Sequence, residues 1–213
     1  ILQDLAPAEE GKRLKRLSIQ ILSAARSLGR KYHYDEQHAE RVRELSVRLF
    51  DELQAEQRMT ETHRLYLEVA ALLHDIGLFI GPRSHHKHSH YLICSSELFG
   101  LRQHEMEIIA NIARYHRRAL PQRSHVSFIS LDRDERMMVS KLAAILRVAN
   151  ALDKDHLSKA ADMKILQEGD QIVLVVQNIS DLAMARLSLA GRSDFFAEVF
   201  GKKIILREAA VSP

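Results

Sequence analysis

Residues Leu72-Leu73-His74-Asp75-Ile76-Gly77 join an imidazole to a carboxylate at the end of an apolar run. Neighbours on a helix point about 100° apart, so the two side chains cannot both centre on one face, but at a helix end they can converge on a single point. A divalent cation is the usual reason for such convergence, and Gly77 fits a helix stop. With 12 histidines in the chain, some His-Asp pairs arise by chance, and a capping Asp beside a hydrogen-bonded His is the ordinary alternative. The neighbouring motifs add weight. His38 heads the stripe His38, Val42, Leu45, Leu49, as a core histidine or as a ligand facing a bundle interior. The stretch His85-His86-Lys87-His88-Ser89-His90 holds four histidines and a lysine in six residues, which packing explains poorly; it reads as a loop that handles metal or phosphate. His116 shares a stripe with Ile109 and Ile112, with Arg114, Arg117 and Arg118 close by. Asp153 continues the core stripe Leu142, Leu146, Ala149, where a carboxylate is costly unless a cation meets it, the alternative being a fraying helix end in water.

His38, His74, Asp75 and Asp153 together offer two imidazoles and two carboxylates. That donor set suits Mn²⁺, Fe²⁺, Ni²⁺, Co²⁺, Zn²⁺ or Mg²⁺. Incomplete protein coordination leaves room for water, whose pKa a bound metal lowers while it polarises a phosphoryl oxygen. The single Cys94 excludes a multi-thiolate zinc site and an internal disulfide framework, and fits a reducing cytoplasm.

Helical elements must bring these residues together. The 213 residues are 46% hydrophobic and 28% charged, an ordinary globular composition with room for one large domain and a small appendage. No apolar run of about 18 residues predicts a membrane span, and no signal peptide is visible. The chain begins at Ile1 rather than Met, so a piece of a longer protein is one reading. The net charge of +3 is mildly basic, with positive clusters at Gly11 to Arg16 and Arg114 to Arg123; Trp is absent and no nucleic-acid pattern of interleaved aromatics stands out. Apolar spacing predicts helices over Ala8 to Leu28, stopped by Gly29; Glu36 to Leu53, capped by Asp35; a third capped by Thr60 or Thr62 and ending in His74-Asp75; a short one over Tyr91 to Ser96; then Gln103 to Arg118 and Arg133 to Leu157. Phe79 to Ser84 is a loop by its Gly-Pro pair. After about Ala161 the pattern changes to strands at Met163 to Leu166 and Gln171 to Gln177 around a Glu168-Gly169-Asp170 turn. A helix over Leu182 to Phe200, weakened or broken at Gly191, and a last strand over Lys203 to Arg207 follow. The predicted fold is mainly α: a helical domain over 1–160, then a small β-β-α-β appendage over 161–213.

The spacing of His38, His74-Asp75 and Asp153 resembles the HD superfamily of metal-dependent phosphohydrolases. More specifically, Ala70 to Gly77, His85 to Ile93, Ile112 to Arg118, Arg147 to Asp153 and Phe195 to Lys203 resemble the C-terminal region of the exopolyphosphatase / guanosine pentaphosphate phosphatase (Ppx/GppA) family, a likeness running from about Gly11 to Arg207. The resemblance implies an HD-type helical bundle followed by a small α/β unit, with one or two divalent ions held by His38, His74, Asp75 and Asp153. Asp75 would bridge two ions, and His85 or His86, His88 and His116 are the candidates for the second. Asp75 and His116 are the implied catalytic residues. Lys87, Arg114, Arg117 and Arg118 are candidates for phosphate contacts. The acidic general base that some HD enzymes place after the doublet has no counterpart in Ile76-Gly77-Leu78-Phe79.

In that family the polyphosphate-cleaving site lies in an N-terminal pair of actin-like domains, which these residues do not include. Two readings follow. One is a metal-dependent phosphohydrolase acting on a phosphorylated nucleotide or on polyphosphate. The other is a non-catalytic module that grips polyphosphate or a guanosine polyphosphate alarmone, forms a homodimer and serves an actin-like catalytic partner. Neither requires a membrane or a specific nucleic acid.

Overall fold

In the computed structural model, residues 5–117, 119–154, 163–176 and 182–209 are described. α1 (Leu5–Lys31) leads to α2 (Glu36–Gln57), whose N-cap Asp35 accepts from the His38 backbone N–H at 3.0 Å. That cap places His38 in the first turn of α2, on the end of the helix where the site forms. α3 (Glu61–Leu73) starts at Thr60 through a reciprocal box with His63: Thr60 Oγ1 accepts from His63 N, and Thr60 N donates to His63 Nδ1. It ends where His74 and Asp75 begin, and a single 3₁₀ turn, Ile76–Phe79, follows. α4 (His85–Cys94), α5 (Gln103–Arg114), the short α6 (Val126–Ile129) and α7 (Arg133–Lys154) complete the helical part. α7 packs against α2, α3 and α5, and its Leu142, Leu146, Val148 and Ala149 are fully buried with Leu73, Ile76, Ile109 and Ile112. No helix among the described residues is long and apolar enough to cross a membrane.

β1 (Lys164–Glu168) pairs antiparallel with β2 (Gln171–Val176) across a turn in which Gly169 takes φ +58°, a conformation that suits glycine. α8 (Leu182–Phe200) carries the chain back over α7, and β3 (Lys203–Glu208) joins β2 in parallel, with Ile172 opposite Ile204 and Leu174 opposite Leu206. The sheet order is β1-β2-β3. Lys202, 6% exposed, ties the sheet to α2 by pairing with Glu56 at 3.2 Å and donating to Gly169 O. The fold is mainly helical with a small C-terminal α/β unit, as the sequence pattern predicts.

Several boundaries differ. α1 runs through Gly29 to Lys31; a Cβ there would lie 2.7 Å from the Tyr34 ring, so close ring approach rather than helix termination requires the glycine. α2 extends past Leu53 to Gln57, and α8 is continuous through Gly191. The histidine-rich stretch is no loop but the first half of α4. Its buried positions His85, Ser89, Leu92 and Ile93 follow helical spacing, but two of them are polar, which hides the stripe from an apolar count. α5 stops at Arg114, so His116 lies just beyond the helix end. The expected ends of α7 at Leu157 and of β2 at Gln177 lie outside the described residues.

Candidate metal centre

His74, one residue past α3, and His116, two past α5, solve the same local problem in the same way. A helix end leaves carbonyls without partners. His74 Nδ1 donates to Ala71 O at 2.7 Å, and His116 Nδ1 donates to Ala113 O at 2.7 Å. His85, at the start of α4, donates from Nδ1 to Pro82 O at 3.0 Å. Carbonyl oxygens only accept, so in all three rings Nδ1 carries the proton and a neutral ring has its lone pair on Nε2. His38 Nδ1 lies 2.5 Å from Asp153 Oδ2, which orients that ring in the same sense. Fixing one ring nitrogen and freeing the other is how proteins prepare histidine for a metal.

The four Nε2 atoms surround one carboxylate. His85 Nε2 and His116 Nε2 each lie 3.2 Å from Asp75 Oδ1 and 3.2 Å from each other. On the other side His74 Nε2 is 3.5 Å and His38 Nε2 3.8 Å from Asp75 Oδ2, and those two nitrogens are 3.2 Å apart. Two three-atom donor groups therefore share Asp75: His38, His74, Asp75 and Asp75, His85, His116. Donors on one ion at about 2.1 Å stand roughly 3.0–3.4 Å apart, which is the spacing in the second group and between the nitrogens of the first.

Electrostatics agree with this fit. Asp75 Oδ1 is buried and has no hydrogen-bond partner among the described residues, although two ring nitrogens face it. Protons could fill the gap only if the rings became cationic. Burial opposes that, pulling His74 down to about 3 and lowering His116 too, against the opposing pull of Asp75. Burial would by itself raise the Asp75 carboxyl, but His74, then His116 and His85, hold it well below the usual carboxylate range. Three lone-pair donors thus converge without a shared hydrogen, a repulsive arrangement that a divalent cation relieves.

A family profile described as Ppx/GppA phosphatase, domain III, matches residues 22–189. The chain belongs to the Ppx/GppA phosphatase family. Proteins named guanosine-5'-triphosphate,3'-diphosphate pyrophosphatase are similar to it: one from Pseudoalteromonas translucida is 36% identical over 88 residues, covering 41% of this chain and 18% of the relative. One from Aeromonas hydrophila is 31% identical over 129 residues, 59% of this chain and 25% of the relative. One from Vibrio parahaemolyticus is 29% identical over 154 residues, 70% of this chain and 30% of the relative. The matches span between 18% and 30% of the length of these pyrophosphatases.

Within this Ppx/GppA domain the remaining candidates fall around the centre. Asp153 lies outside both donor groups; its Oδ1 is 2.5 Å from Arg41 Nε and its Oδ2 faces the Nδ1 side of His38, so the arginine and the imidazole share it. His86 and His88 also lie outside both groups: the His86 ring stands edge-on to His85, and the Cβ of His88 faces Gly77. Burial and the nearby His116 and His85 bring His86 down to about 4. Arg117 Nη1 approaches His85 Nδ1 at 3.4 Å and, with Pro82, Arg83, Ser84 and His86, lines a cavity of about 340 Å³. Lys87 is exposed on α4, and Arg114 is partly buried with its guanidinium over the Tyr115 ring. Arg118 lies outside the described residues.

Sequence reasoning missed Arg41 and Arg83. Arg41 stands three residues after His38, so a cation on the same helix face was a readable signal. Arg83, in the loop after Gly81-Pro82, carried no periodic signal.

Proposed function

We propose that this chain is a divalent-metal phosphohydrolase domain that cleaves a phosphate ester or anhydride. The observation that carries it is the convergence of His85 Nε2, His116 Nε2 and Asp75 Oδ1 within 3.2 Å, with Asp75 Oδ1 lacking a hydrogen bond among the described residues. His38, His74 and Asp75 would hold one ion, and Asp75, His85 and His116 a second. Two imidazoles per ion favour Mn²⁺, Fe²⁺, Co²⁺, Ni²⁺ or Zn²⁺ over Mg²⁺. When bound, such ions supply Lewis acidity toward a phosphoryl oxygen and activate water as a nucleophile.

The chain's own residues do the rest. Asp75 bridges the two halves and fixes their separation. The carbonyls of Ala71, Ala113 and Pro82 hold the Nδ1 protons, so each ring meets its ion without tautomer exchange. Arg117 and Arg83 bind phosphoryl oxygens in the neighbouring cavity by charge-assisted hydrogen bonds, and the uncharged His86 adds a polar wall. Lys87 and Arg114 extend the positive field around it. The names of the similar proteins support a guanosine polyphosphate as substrate. The strands that begin at Lys164 support a division into a helical domain over 1–160 and an appendage over 161–213. The free Cys94 supports a cytoplasmic site of action.

The test is elemental analysis and turnover of metal-loaded protein beside Asp75→Ala. Wild type should carry up to two ions per chain and hydrolyse a guanosine polyphosphate or an activated phosphodiester. The variant should lose both ions and at least about 10³-fold in rate. Wild type that takes up no stoichiometric ion from Mn²⁺, Ni²⁺ or Zn²⁺, yet still retains polyphosphate on a filter in both forms, would replace the hydrolase reading with that of a polyanion-gripping module.

A further inference from the structure

Arg147 on α7 is only 6% exposed, yet no carboxylate among the described residues lies within ion-pair distance of it. A buried guanidinium without an anion is costly and requires an explanation. Its Nη1 donates to Tyr115 O at 3.1 Å and to Ala119 O at 3.3 Å, while Nε has no hydrogen-bond partner among the described residues. The Phe195 ring of α8 lies beneath the charge, 5.9 Å from the guanidinium carbon. Those two carbonyls flank His116 and Arg117. Tyr115 is also the C-terminal cap of α5, where carbonyls lack helical partners and a cation is favoured.

We propose that Arg147 is a positioning residue for the second half of the centre: by tying the Tyr115 and Ala119 carbonyls to α7 it holds His116 with Nε2 on Asp75 Oδ1. Its functional meaning rests on the metal reading above; its geometry does not. The Nδ1 bond of His116 to Ala113 O sets the ring's tautomer, but that bond is local and cannot fix where the chain beyond α5 lies relative to α3. Arg147 is the side chain from α7 that supplies this tertiary constraint. Burial, with Arg192 nearby, brings its pKa down to about 10, so it still acts as a cationic donor at neutral pH. His38 and His74 sit on α2 and at the end of α3, away from the clamp, so the constraint acts on one half of the centre.

Two readouts on the whole chain decide this: Mn²⁺ or Zn²⁺ binding isotherms, and NMR of the imidazole rings in metal-free protein. Wild type, Arg147→Met, Arg147→Gln and Arg147→Lys are compared after circular dichroism has confirmed folding. In Arg147→Met the second ion should weaken about 10- to 100-fold with the first changed less than about twofold. The His116 ring resonances should shift and broaden as Nε2 leaves Asp75 Oδ1, the local Ala113 bond keeping its Nδ1–H form, while those of His74 stay in place. Lysine, able to reach one carbonyl, should restore part of both effects. If Arg147→Met does not fold, Arg147→Gln and Arg147→Lys are held to the same criterion. Unchanged second-ion affinity with unchanged His116 ring resonances overturns the proposal. So does equal weakening of both ions with shifts at all four rings, the mark of general loosening. Wild type that binds no second ion removes the metal reading, and the His116 ring resonances then decide the positioning role alone.

Discussion

Asp153 stands between Arg41 and His38, so removing its carboxylate frees a guanidinium and leaves the His38 Nδ1 proton without its acceptor. On the proposed metal reading, Asp153→Ala is expected to weaken an ion held by His38 and His74 about 10- to 100-fold and leave one held by His85 and His116 within about twofold; titration against a fluorescent chelator measures both. Asp153→Asn keeps an acceptor for the ring and should fall between. At this scale much of the His/Asp cluster that the structure brings together was readable. His74-Asp75 betrays itself by adjacency at the end of an apolar run, and His38 and His116 by standing on apolar stripes. The choice among the clustered histidines was not readable. Whether His85, His86 or His88 points inward depends on where α4 begins, and its buried stripe opens with His85 and Ser89, which hydrophobicity does not flag. Arg83 and Arg147 were unreadable for a different reason: each matters through a partner far away in sequence, Arg83 through Arg117 and Arg147 through Tyr115 and Ala119.

α4 is docked on the 3₁₀ turn after Asp75 by contact at Gly77. A Cβ on Gly77 would lie 2.2 Å from His85 O and 2.4 Å from Ser89 N, both backbone atoms that cannot swing aside, and Gly77 N–H donates to Ser89 Oγ at 2.9 Å. Gly77→Ala should therefore push α4 away, cost roughly 1–3 kcal/mol in a urea titration and reduce binding at His85 before binding at His38. Ser89→Ala strands a buried N–H without creating a clash, and should cost about 1–3 kcal/mol with a smaller effect on metal. The sequence marks Gly77 as a helix stop, and the stop is real, but close helix approach is the stronger demand on that position. Helix ends were legible where a side-chain cap announces them, as at Asp35 and Thr60. They were illegible at Gly29 and Gly191, where glycine falls inside a helix that tertiary packing sustains.

For the molecule as a whole, buried neutral histidines couple folding to pH. Burial lowers His74, with His116 and His38 adding to it against Asp75, to about 3; burial, with Arg114, lowers His90 to about 4. Unfolded, both rings bind protons near 6.5, so the unfolded state takes up more protons below that value. Metal-free protein should accordingly hold full stability above pH 6.5 and lose it progressively as pH falls toward 4 and then 3. Urea midpoints across that range measure the loss, and His90→Phe should flatten the part contributed by that ring. The carbonyl bonds at Ala71, Pro82 and Ala113 each join a ring to a group three residues earlier in the chain. Such bonds form together with their own helix ends, so most of the entropy of ordering these rings is lost during folding, before any ion arrives. On the proposed metal reading, an incoming ion would meet a rigid receptor and have chiefly its own hydration to shed. Uptake and release should therefore proceed by simple exchange, with the protein skeleton staying native when a chelator strips the centre. Far-ultraviolet circular dichroism through a cycle of stripping and reloading should stay flat while bound metal falls to zero and returns.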